Sequence, residues 1–242
     1  MRSSPVTIAI DGPSGSGKSS VSRAVARELG LEYLDTGAMY RALTWWCLDR
    51  GFDLTDPQTV ASASTRLPLE IGTDPDHPRI AVDGTDIVQA VREPHISAHV
   101  STIATNLAVR ADMRDRQRRI IAAARGHSGG IVVEGRDITT VVAPDAEHRV
   151  LLSASEEARL SRRAKELQDN AVRQSADDTR DQVLRRDRDD ATVSAFFEPA
   201  EGVVGIDTSH LTFDQSVAAV LSLVRGAPLT QDHPEPITEG LS

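Results

Sequence analysis

Apolar residues along this chain fall into short β-branched runs, separated by longer stretches in which apolar positions recur at helical spacing. Runs of this kind are typical of strands that are buried on both faces, as in a parallel sheet covered by helices. The alternation of such strands with helices predicts an α/β fold. The predicted strands of a five-stranded parallel sheet are residues 6–10, 31–35, 131–133, 150–152 and 203–207.

Helical periodicity accounts for much of the sequence between these runs. Val21, Val25 and Leu29 lie on one face of a predicted helix that ends at Gly30, a residue that favours a helix C-terminus. Ser155 is expected to cap a later helix through its side-chain oxygen. Further helices are predicted over residues 38–50, 95–125, 156–167 and 213–225, and residues 51–59 are expected to form a connection.

The pattern changes to strict alternation within residues 67–87, where turn signals lie at 74–76 and 83–84. Alternating runs between turns predict a small antiparallel sheet inserted into the main fold. We therefore expect one domain over 5–225 and a disordered, proline-containing tail over 226–242. The domain divides into a core of residues 5–59 and 127–225, with an insertion over about 60–126.

The segment Gly12–Ser19, GPSGSGKS, matches the phosphate-binding loop pattern G-x-x-x-x-G-K-S/T between a predicted strand and a predicted helix. Its glycines let backbone N–H groups and the helix N-terminus form a concave anion site. Lys18, one of 2 lysines beside 25 arginines, is expected to reach the β- and γ-phosphates, and Ser19 to bind Mg²⁺. The predicted cofactor-binding residues of the loop are Gly12, Pro13, Ser14, Gly15, Ser16, Gly17, Lys18, Ser19 and Ser20.

Composition narrows the class of protein. The 242 residues are 39% hydrophobic and 26% charged, which is ordinary for a globular chain, and the net charge of −9 argues against a nonspecific binder of nucleic-acid polymers. Cys47 is the single cysteine, so an internal disulfide is excluded, and a buried core thiol is expected. No apolar run is long enough to span a membrane, and the N-terminus does not resemble a signal peptide. We expect a cytoplasmic monomer that binds small nucleotides.

The loop alone does not distinguish GTPases, ATP-driven machines and kinases. GTPases usually carry an N/T-K-x-D segment, which is absent because Lys18 and Lys165 are the only lysines. ATP-driven machines usually carry an aspartate directly after a hydrophobic strand, whereas residues 131–133 run into Glu134-Gly135-Arg136-Asp137. A compact kinase for a small phosphorylated acceptor fits best.

Three segments resemble the bacterial cytidylate kinase family, and the resemblance covers about residues 5–225. They are residues 11–19, residues 35–41 (DTGAMYR), and residues 134–146, which contain Gly135-Arg136-Asp137. The resemblance implies a phosphate-loop NTPase fold that transfers a phosphoryl group from ATP, with Mg²⁺, to CMP or dCMP. It implies catalytic roles for Lys18, Arg186 and Asp190, with the last two in a mobile lid of about residues 168–195, and it places Arg162 near the adenine.

The acceptor site is also implied by the resemblance. Arg41 can hold a phosphate as a planar fork, and an acidic group at Asp137 favours the exocyclic amine of cytosine over the carbonyl of uracil. Arginine is so frequent in this chain that Arg110 and Arg136 have an alternative interpretation as surface residues. The implied acceptor residues are Thr36, Tyr40, Arg41, Ser101, Arg110, Arg136 and Asp137.

Two positions depart from the family pattern. Val193 stands where the lid pattern R-D-x-x-D-x-x-R has its second arginine, and Thr139 stands where the family has glycine. Arg185 or Arg188 is a candidate substitute for the missing lid cation. Two other functions stay open: a catalytically weakened nucleotide-binding protein, and another small-acceptor kinase of the UMP/CMP or shikimate type.

Overall fold

Two sheets organise the computed structural model, which describes residues 4–169, 185 and 187–226. In chain order the strands are β1 Val6–Asp11, β2 Glu32–Asp35, β3 Leu69–Ile71, β4 Ile80–Val82, β5 Thr85–Asp86, β6 Gly130–Gly135, β7 His148–Ser153 and β8 Val204–Asp207. The main sheet has the order β2-β6-β1-β7-β8, and all its pairs are parallel. The predicted five-stranded parallel sheet is confirmed.

Helices cover both faces of this sheet. They are α1 Lys18–Leu29, α2 Thr36–Asp49, α3 Pro57–Arg66, α4 Pro94–Ala104, α5 Leu107–His127, α6 Glu156–Asp169 and α7 Phe213–Val224, with a 3₁₀ turn at Ala90–Arg92 and a π turn at Ile138–Val142. Gly30 ends α1 in a left-handed conformation, and the Ser155 hydroxyl accepts the Ala158 N–H, as expected. Residues 187–191 are helical.

Successive residues of the central strands face opposite sides of the sheet. Ala9 and Val133 belong to a core shared with α2, α3, α4 and α5, whereas Ile8, Ile10 and Val132 belong to a second core shared with α1 and α7. All five side chains are fully buried. Burial on both faces explains why the strands appear in the sequence as continuous apolar runs.

The inserted sheet is antiparallel, in the order β3-β4-β5, as the alternation predicts. Asp83 and Gly84 make the β4–β5 turn with positive φ angles of 52° and 73°. Ile80 and Val82 pack into the same core as Leu34 of the main sheet, so the insertion shares a core with the sheet.

The prediction of a connection over residues 51–59 is wrong for its last residues, because α3 begins at Pro57. Proline fits the first turn of a helix, where its missing N–H would have no intrahelical partner. The Asp56 carboxylate accepts the Gln58 N–H at 3.0 Å and caps the helix. The helical stretch predicted over 95–125 is interrupted between α4 and α5, where the Asn106 side chain caps α5.

Cys47 is fully buried, as expected, and burial raises the pKa of its thiol to about 11. Within the described residues, no helix is both long and apolar enough to cross a membrane. Most of the predicted lid, residues 168–195, and nearly all of the tail, residues 226–242, lie outside the described residues.

Candidate active site

The phosphate-binding loop joins β1 to α1 and depends on its glycines. A Cβ atom at Gly12 would collide with the backbone carbonyl of Leu152 in β7. Gly15 and Gly17 have φ angles of 78° and 85°, which other residues rarely adopt. Gly17 is the N-cap of α1 and has no side chain that could cap the helix, so the helix N-terminus faces the loop without a capping side chain at this position.

The loop borders a cleft of about 1020 Å³, and most of the predicted site residues line it. The cleft extends from the loop to α2 and α5 and to the segment that follows β6. The predicted residues on its wall are Ser14, Gly15, Ser16, Gly17, Lys18, Ser19, Ser20, Thr36, Tyr40, Arg41, Arg110, Arg136, Asp137, Arg162 and Asp190.

A buried carboxylate, Glu134, lies at the end of β6 next to the loop. It accepts the Ser19 hydroxyl at 2.6 Å and the Tyr33 hydroxyl at 3.2 Å, and its Oε2 is 3.9 Å from the Lys18 Nζ. The neighbouring Thr36 hydroxyl donates to the Glu134 backbone carbonyl at 2.8 Å. Glu134 therefore connects the motif lysine and the motif serine.

Asp35 lies directly opposite Glu134 in the β2–β6 pair, so two acidic side chains share one end of the sheet. Burial and the charge of Asp35 raise the pKa of Glu134, against the opposing effects of Lys18 and Ser19. Burial alone would also raise the pKa of Asp35, but Arg41 and the Ala38 N–H outweigh it and leave that pKa below its ordinary value. Arg41 contacts Asp35 at 2.9 Å. The pair is an anionic centre next to the phosphate-binding loop.

Across the cleft, Arg110 of α5 forms an ion pair with Asp137. The Arg110 guanidinium also donates to the Ser194 hydroxyl at 2.8 Å and to the Ala104 carbonyl at 3.1 Å. Burial raises the pKa of Asp137, although the Arg110 charge opposes this shift. Arg110 and Asp137 are thus partners inside the cleft, which contradicts the alternative interpretation of Arg110 as a surface residue.

Arg136 contacts two carboxylates of the predicted lid segment. Its Nη1 is 2.6 Å from Asp187, its Nε is 2.8 Å from Asp190, and its guanidinium stacks 4.5 Å from the ring centroid of buried Phe196. It is therefore not a free surface arginine either. The predicted lid cation Arg186 lies outside the described residues.

Asp187 also reaches the phosphate-binding loop. Its carboxylate accepts the Ser14 N–H at 3.1 Å and pairs with Arg159 of α6, whose guanidinium donates to the Ser14 carbonyl at 3.1 Å. Burial alone would raise the pKa of Asp187, but Arg136, the Ser14 N–H and Arg159 lower it below its ordinary value. This contact joins the described part of the predicted lid segment to the loop.

Arg162 packs against the loop from α6. Its guanidinium donates to the Ser16 carbonyl at 3.3 Å and to the Thr208 hydroxyl at 3.0 Å. Ser101 does not line the cleft, although its neighbours Val100 and Ala104 do. The Ser101 Oγ is buried without a hydrogen-bond partner among the described residues.

The two departures from the family pattern have different surroundings. The Thr139 hydroxyl donates to Asp11 at 2.6 Å within the buried core. Val193 follows the helical residues 187–191, and its N–H donates to the Asp190 carbonyl at 3.2 Å. Arg188 is exposed, and Arg185 donates to the Ala98 carbonyl at 3.4 Å, so neither of these described arginines lines the cleft.

Sequence reasoning missed Glu134, Asp35, Asp187 and Arg159 as site residues. Three of them had a usable signal. Asp35 ends a predicted strand and Glu134 directly follows one, at the carboxyl edge where open α/β sheets bind ligands. Asp187 is the first aspartate of the lid pattern, whereas Arg159 had no signal, since its contact with the loop spans 145 residues of sequence.

A phosphate-binding loop that faces a second set of cations across one cleft defines a phosphate-loop kinase for a small acceptor. A family model described as cytidylate kinase matches residues 8–226. The chain is 48% identical over 225 residues to a cytidylate kinase of Cutibacterium acnes, covering 93% of this chain and 98% of that protein. It is 44% identical over 220 residues to a cytidylate kinase of Streptomyces avermitilis, covering 90% and 92%. The chain belongs to the cytidylate kinase family.

Among solved structures, a shikimate kinase from Acinetobacter baumannii aligns with a TM-score of 0.41 and 16% identity, covering 95% of this chain and 97% of that chain.

Proposed function

We propose that this chain transfers the γ-phosphoryl group of ATP to CMP and dCMP, giving ADP and CDP or dCDP. The observation that carries the proposal is that the phosphate-binding loop and the Arg110–Asp137 pair line one cleft. The loop supplies a site for the donor phosphates, and the pair supplies charged groups for a pyrimidine edge. Membership of the cytidylate kinase family supports the same reaction.

The chemistry asks little covalent work of the protein. A phosphate oxygen of CMP forms a bond to the γ-phosphorus, the bond from that phosphorus to the β,γ-bridging oxygen breaks, and ADP leaves. Catalysis then consists of alignment and stabilisation of the negative charge on the transferred group. Lys18 is a point charge for the donor phosphates, and Arg41 and Arg136 are planar forks for the acceptor phosphate. The Asp190 carboxylate holds Arg136 in place by an ion pair with the Arg136 Nε at 2.8 Å.

The residues beside Lys18 fit Mg²⁺. Two carboxylates, Glu134 and Asp35, lie in register on adjacent strands, and Ser19 adds a hydroxyl that contacts Glu134. The pKa of Glu134, raised by burial and by Asp35, indicates a place where a cation would be favourable. No cluster of three or more metal-binding side chains occurs in the described part of the chain, so phosphates and water would complete the coordination. A bound Mg²⁺ would neutralise charge on the β- and γ-phosphates.

Selection of cytosine rests on Asp137. An ionised carboxylate accepts hydrogen bonds but donates none, so it pairs with the exocyclic amine of cytosine and repels the carbonyl of uracil. Burial makes this discrimination stronger, because an unpaired buried carboxylate is costly. Ser101 belongs to the same proposal, supported by its position next to the cleft-lining Val100 and by its buried Oγ, which has no hydrogen-bond partner among the described residues.

Further parts of the proposal concern the rest of the chain. The insertion, residues 60–126, supplies Arg110 and so contributes to the monophosphate site. The lid, residues 168–195, supplies Arg186 and Asp190, and Arg162 lies near the adenine. We also propose that the protein works as a monomer in the cytoplasm, which its net charge of −9 and its free, buried Cys47 support.

A panel of acceptors with ATP and Mg²⁺ tests the proposal. We expect kcat/KM for CMP and dCMP to exceed that for UMP, AMP and shikimate by at least about a hundredfold, because the site is built to hydrogen-bond one base edge. Lys18→Ala should lower kcat by about 10²–10³ without unfolding the protein.

The alternatives give different results in the same assay. Equal kcat/KM for UMP and CMP would contradict the role of Asp137, and shikimate turnover would favour a different kinase. Nucleotide binding by calorimetry without turnover of any acceptor would favour a weakened binding protein. A Lys18→Ala variant that keeps more than a tenth of wild-type turnover would contradict the assignment of the loop.

A further inference from the structure

Asp11, the last residue of β1, is a buried carboxylate that the proposed reaction does not use. It is 1% exposed and lies directly before Gly12 of the phosphate-binding loop. Its two oxygens accept the Ile138 N–H at 2.9 Å, the Thr139 N–H at 2.8 Å and the Thr139 hydroxyl at 2.6 Å. All three donors belong to the segment that directly follows Asp137.

That segment is the π turn Ile138–Val142, and Asp137 is its N-cap. An aspartate at an N-cap normally accepts N–H groups of the turn that it begins. Asp137 makes no such bond, and its carboxylate pairs with Arg110 on the cleft wall. The first two N–H groups of the turn are instead accepted by Asp11, from a different strand. The capping function and the cleft function are therefore divided between two aspartates.

We propose that Asp11 and Thr139 are positioning residues for base selection: they cap the π turn in place of Asp137 and thereby keep the Asp137 carboxylate directed at Arg110 and the acceptor base. The inference rests on the proposed function, because it concerns the selection of CMP. It also gives a role to Thr139, which departs from the family pattern, as the supplier of the third hydrogen bond to Asp11.

The ionised form of Asp11 is the one that accepts all three bonds. Burial raises the pKa of Asp11 to about 6, and the Thr139 hydroxyl and the two N–H groups oppose that shift. Two charged groups act on this arrangement: Asp137, whose charge raises the pKa of Asp11 further, and Arg149, which donates to the Thr139 carbonyl at 3.3 Å. Loss of the Thr139 hydroxyl would raise the pKa of Asp11, because one donor to the charged form disappears.

The test is Thr139→Val, which keeps the shape of the side chain and removes the hydroxyl. Thr139→Ser restores a hydroxyl. Thr7→Val is the matched control, because Thr7 is a buried threonine of the same strand as Asp11, and its hydroxyl accepts from Arg125 at 2.9 Å, away from the cleft. The quantity measured is kcat/KM for CMP divided by kcat/KM for UMP, together with the KM for ATP.

For Thr139→Val we expect this ratio to fall by about tenfold, the lower end of the effect of losing one hydrogen bond to a charged group. The KM for ATP should change by less than about twofold. Thr139→Ser and Thr7→Val should keep the wild-type ratio. As the pH is lowered, the ratio should begin to fall at a higher pH in Thr139→Val than in Thr7→Val. CMP and UMP carry the same 5′-phosphate, so titration of the acceptor phosphate cancels.

Three results would overturn the inference while leaving the reaction itself in place. They are an unchanged ratio in Thr139→Val, an equal fall in Thr7→Val, and a fall accompanied by an equal rise in the KM for ATP. Asp11→Asn is the stronger variant, and an unchanged ratio there would overturn the inference as well. Failure of the wild-type protein to phosphorylate CMP would instead contradict the proposed function.

Discussion

Replacement of Glu134 by glutamine tests the electrostatics of the donor site most directly. The change keeps the size of the side chain and leaves an oxygen that can accept the Ser19 hydroxyl, but it removes the negative charge 3.9 Å from the Lys18 Nζ. At that separation the gross attraction is about 4 kcal/mol for an effective dielectric constant of about 20. Desolvation of both groups offsets much of it, so a net effect of about 1.5–3 kcal/mol is the reasonable expectation.

Two opposite effects on nucleotide binding follow. Without the Glu134 charge, Lys18 loses an anionic partner, so ATP in the absence of Mg²⁺ should bind about tenfold more tightly. The proposed Mg²⁺ site loses one of its two carboxylates, so the Mg²⁺ concentration for half-maximal activity should rise by about tenfold to a hundredfold. Calorimetry with ATP and EDTA measures the first effect, and ADP formation in a Mg²⁺ titration measures the second. Glu134→Asp, which keeps the charge, is the control.

The combination of the two effects is what makes this prediction specific. A merely structural role for Glu134 would weaken ATP binding with and without Mg²⁺ alike. Weaker binding of metal-free ATP to Glu134→Gln, or an unchanged Mg²⁺ dependence, would refute the assignment of Glu134 to this site.

Two further predictions concern the lid and the opposite end of the sheet. Val193→Arg should raise kcat/KM for CMP by about tenfold, because neither Arg185 nor Arg188 lines the cleft in the described structure; an unchanged value would indicate that the lid aligns differently with the family pattern. Arg125 and the Thr7 N–H lower the pKa of Glu147 to about 2. Because the Glu147 side chain is 40% exposed, solvent reduces the effect, and Glu147→Gln should lower the free energy of unfolding by only about 1 kcal/mol at neutral pH. That difference should be full above about pH 4.5 and vanish as the pH falls through about 2; equal urea midpoints for both proteins at pH 7 would contradict it.

The parts of the fold that the sequence predicts well are those encoded by neighbouring residues. The phosphate-binding loop is contiguous, and the buried strands carry their own apolar signal over several residues. The sequence does not predict the start of α3 well, because Pro57 is typical both of a connection and of the first turn of a helix. Proline alone therefore does not distinguish a connection from a helix start, and the Asp56 carboxylate that caps the helix at Gln58 is what identifies the helix.

The site was harder to predict because its electrostatics depend on register and on distant contacts. The sequence gives no direct sign that Asp35 lies opposite Glu134, since that follows from the pairing of β2 with β6 across 99 residues of chain. The contact of Asp187 with the Ser14 N–H likewise joins residues that are far apart in sequence, by 173 positions. The family resemblance names residues that touch nucleotides, but not the residues that hold them in place, such as Asp11.

The described structure pairs each of four cleft cations with at least one carboxylate. The pairs are Lys18 with Glu134, Arg41 with Asp35, Arg110 with Asp137, and Arg136 with Asp187 and Asp190. A buried cation without a partner would be costly, so this pairing keeps the cations in position before any phosphate arrives. Nucleotide binding then exchanges one anionic partner for another, and its net free energy is smaller than four new ion pairs would give.

In the proposed reaction, three of the carboxylates released by this exchange have a second use. Glu134 and Asp35 become available to Mg²⁺, and Asp137 becomes available to the amine of cytosine. A ligand that brings phosphates without the metal, or without cytosine, displaces the same carboxylates but leaves them buried and unpaired, which is unfavourable. In that reaction, selectivity for MgATP and for CMP would follow from the same pairing that keeps the cations in place.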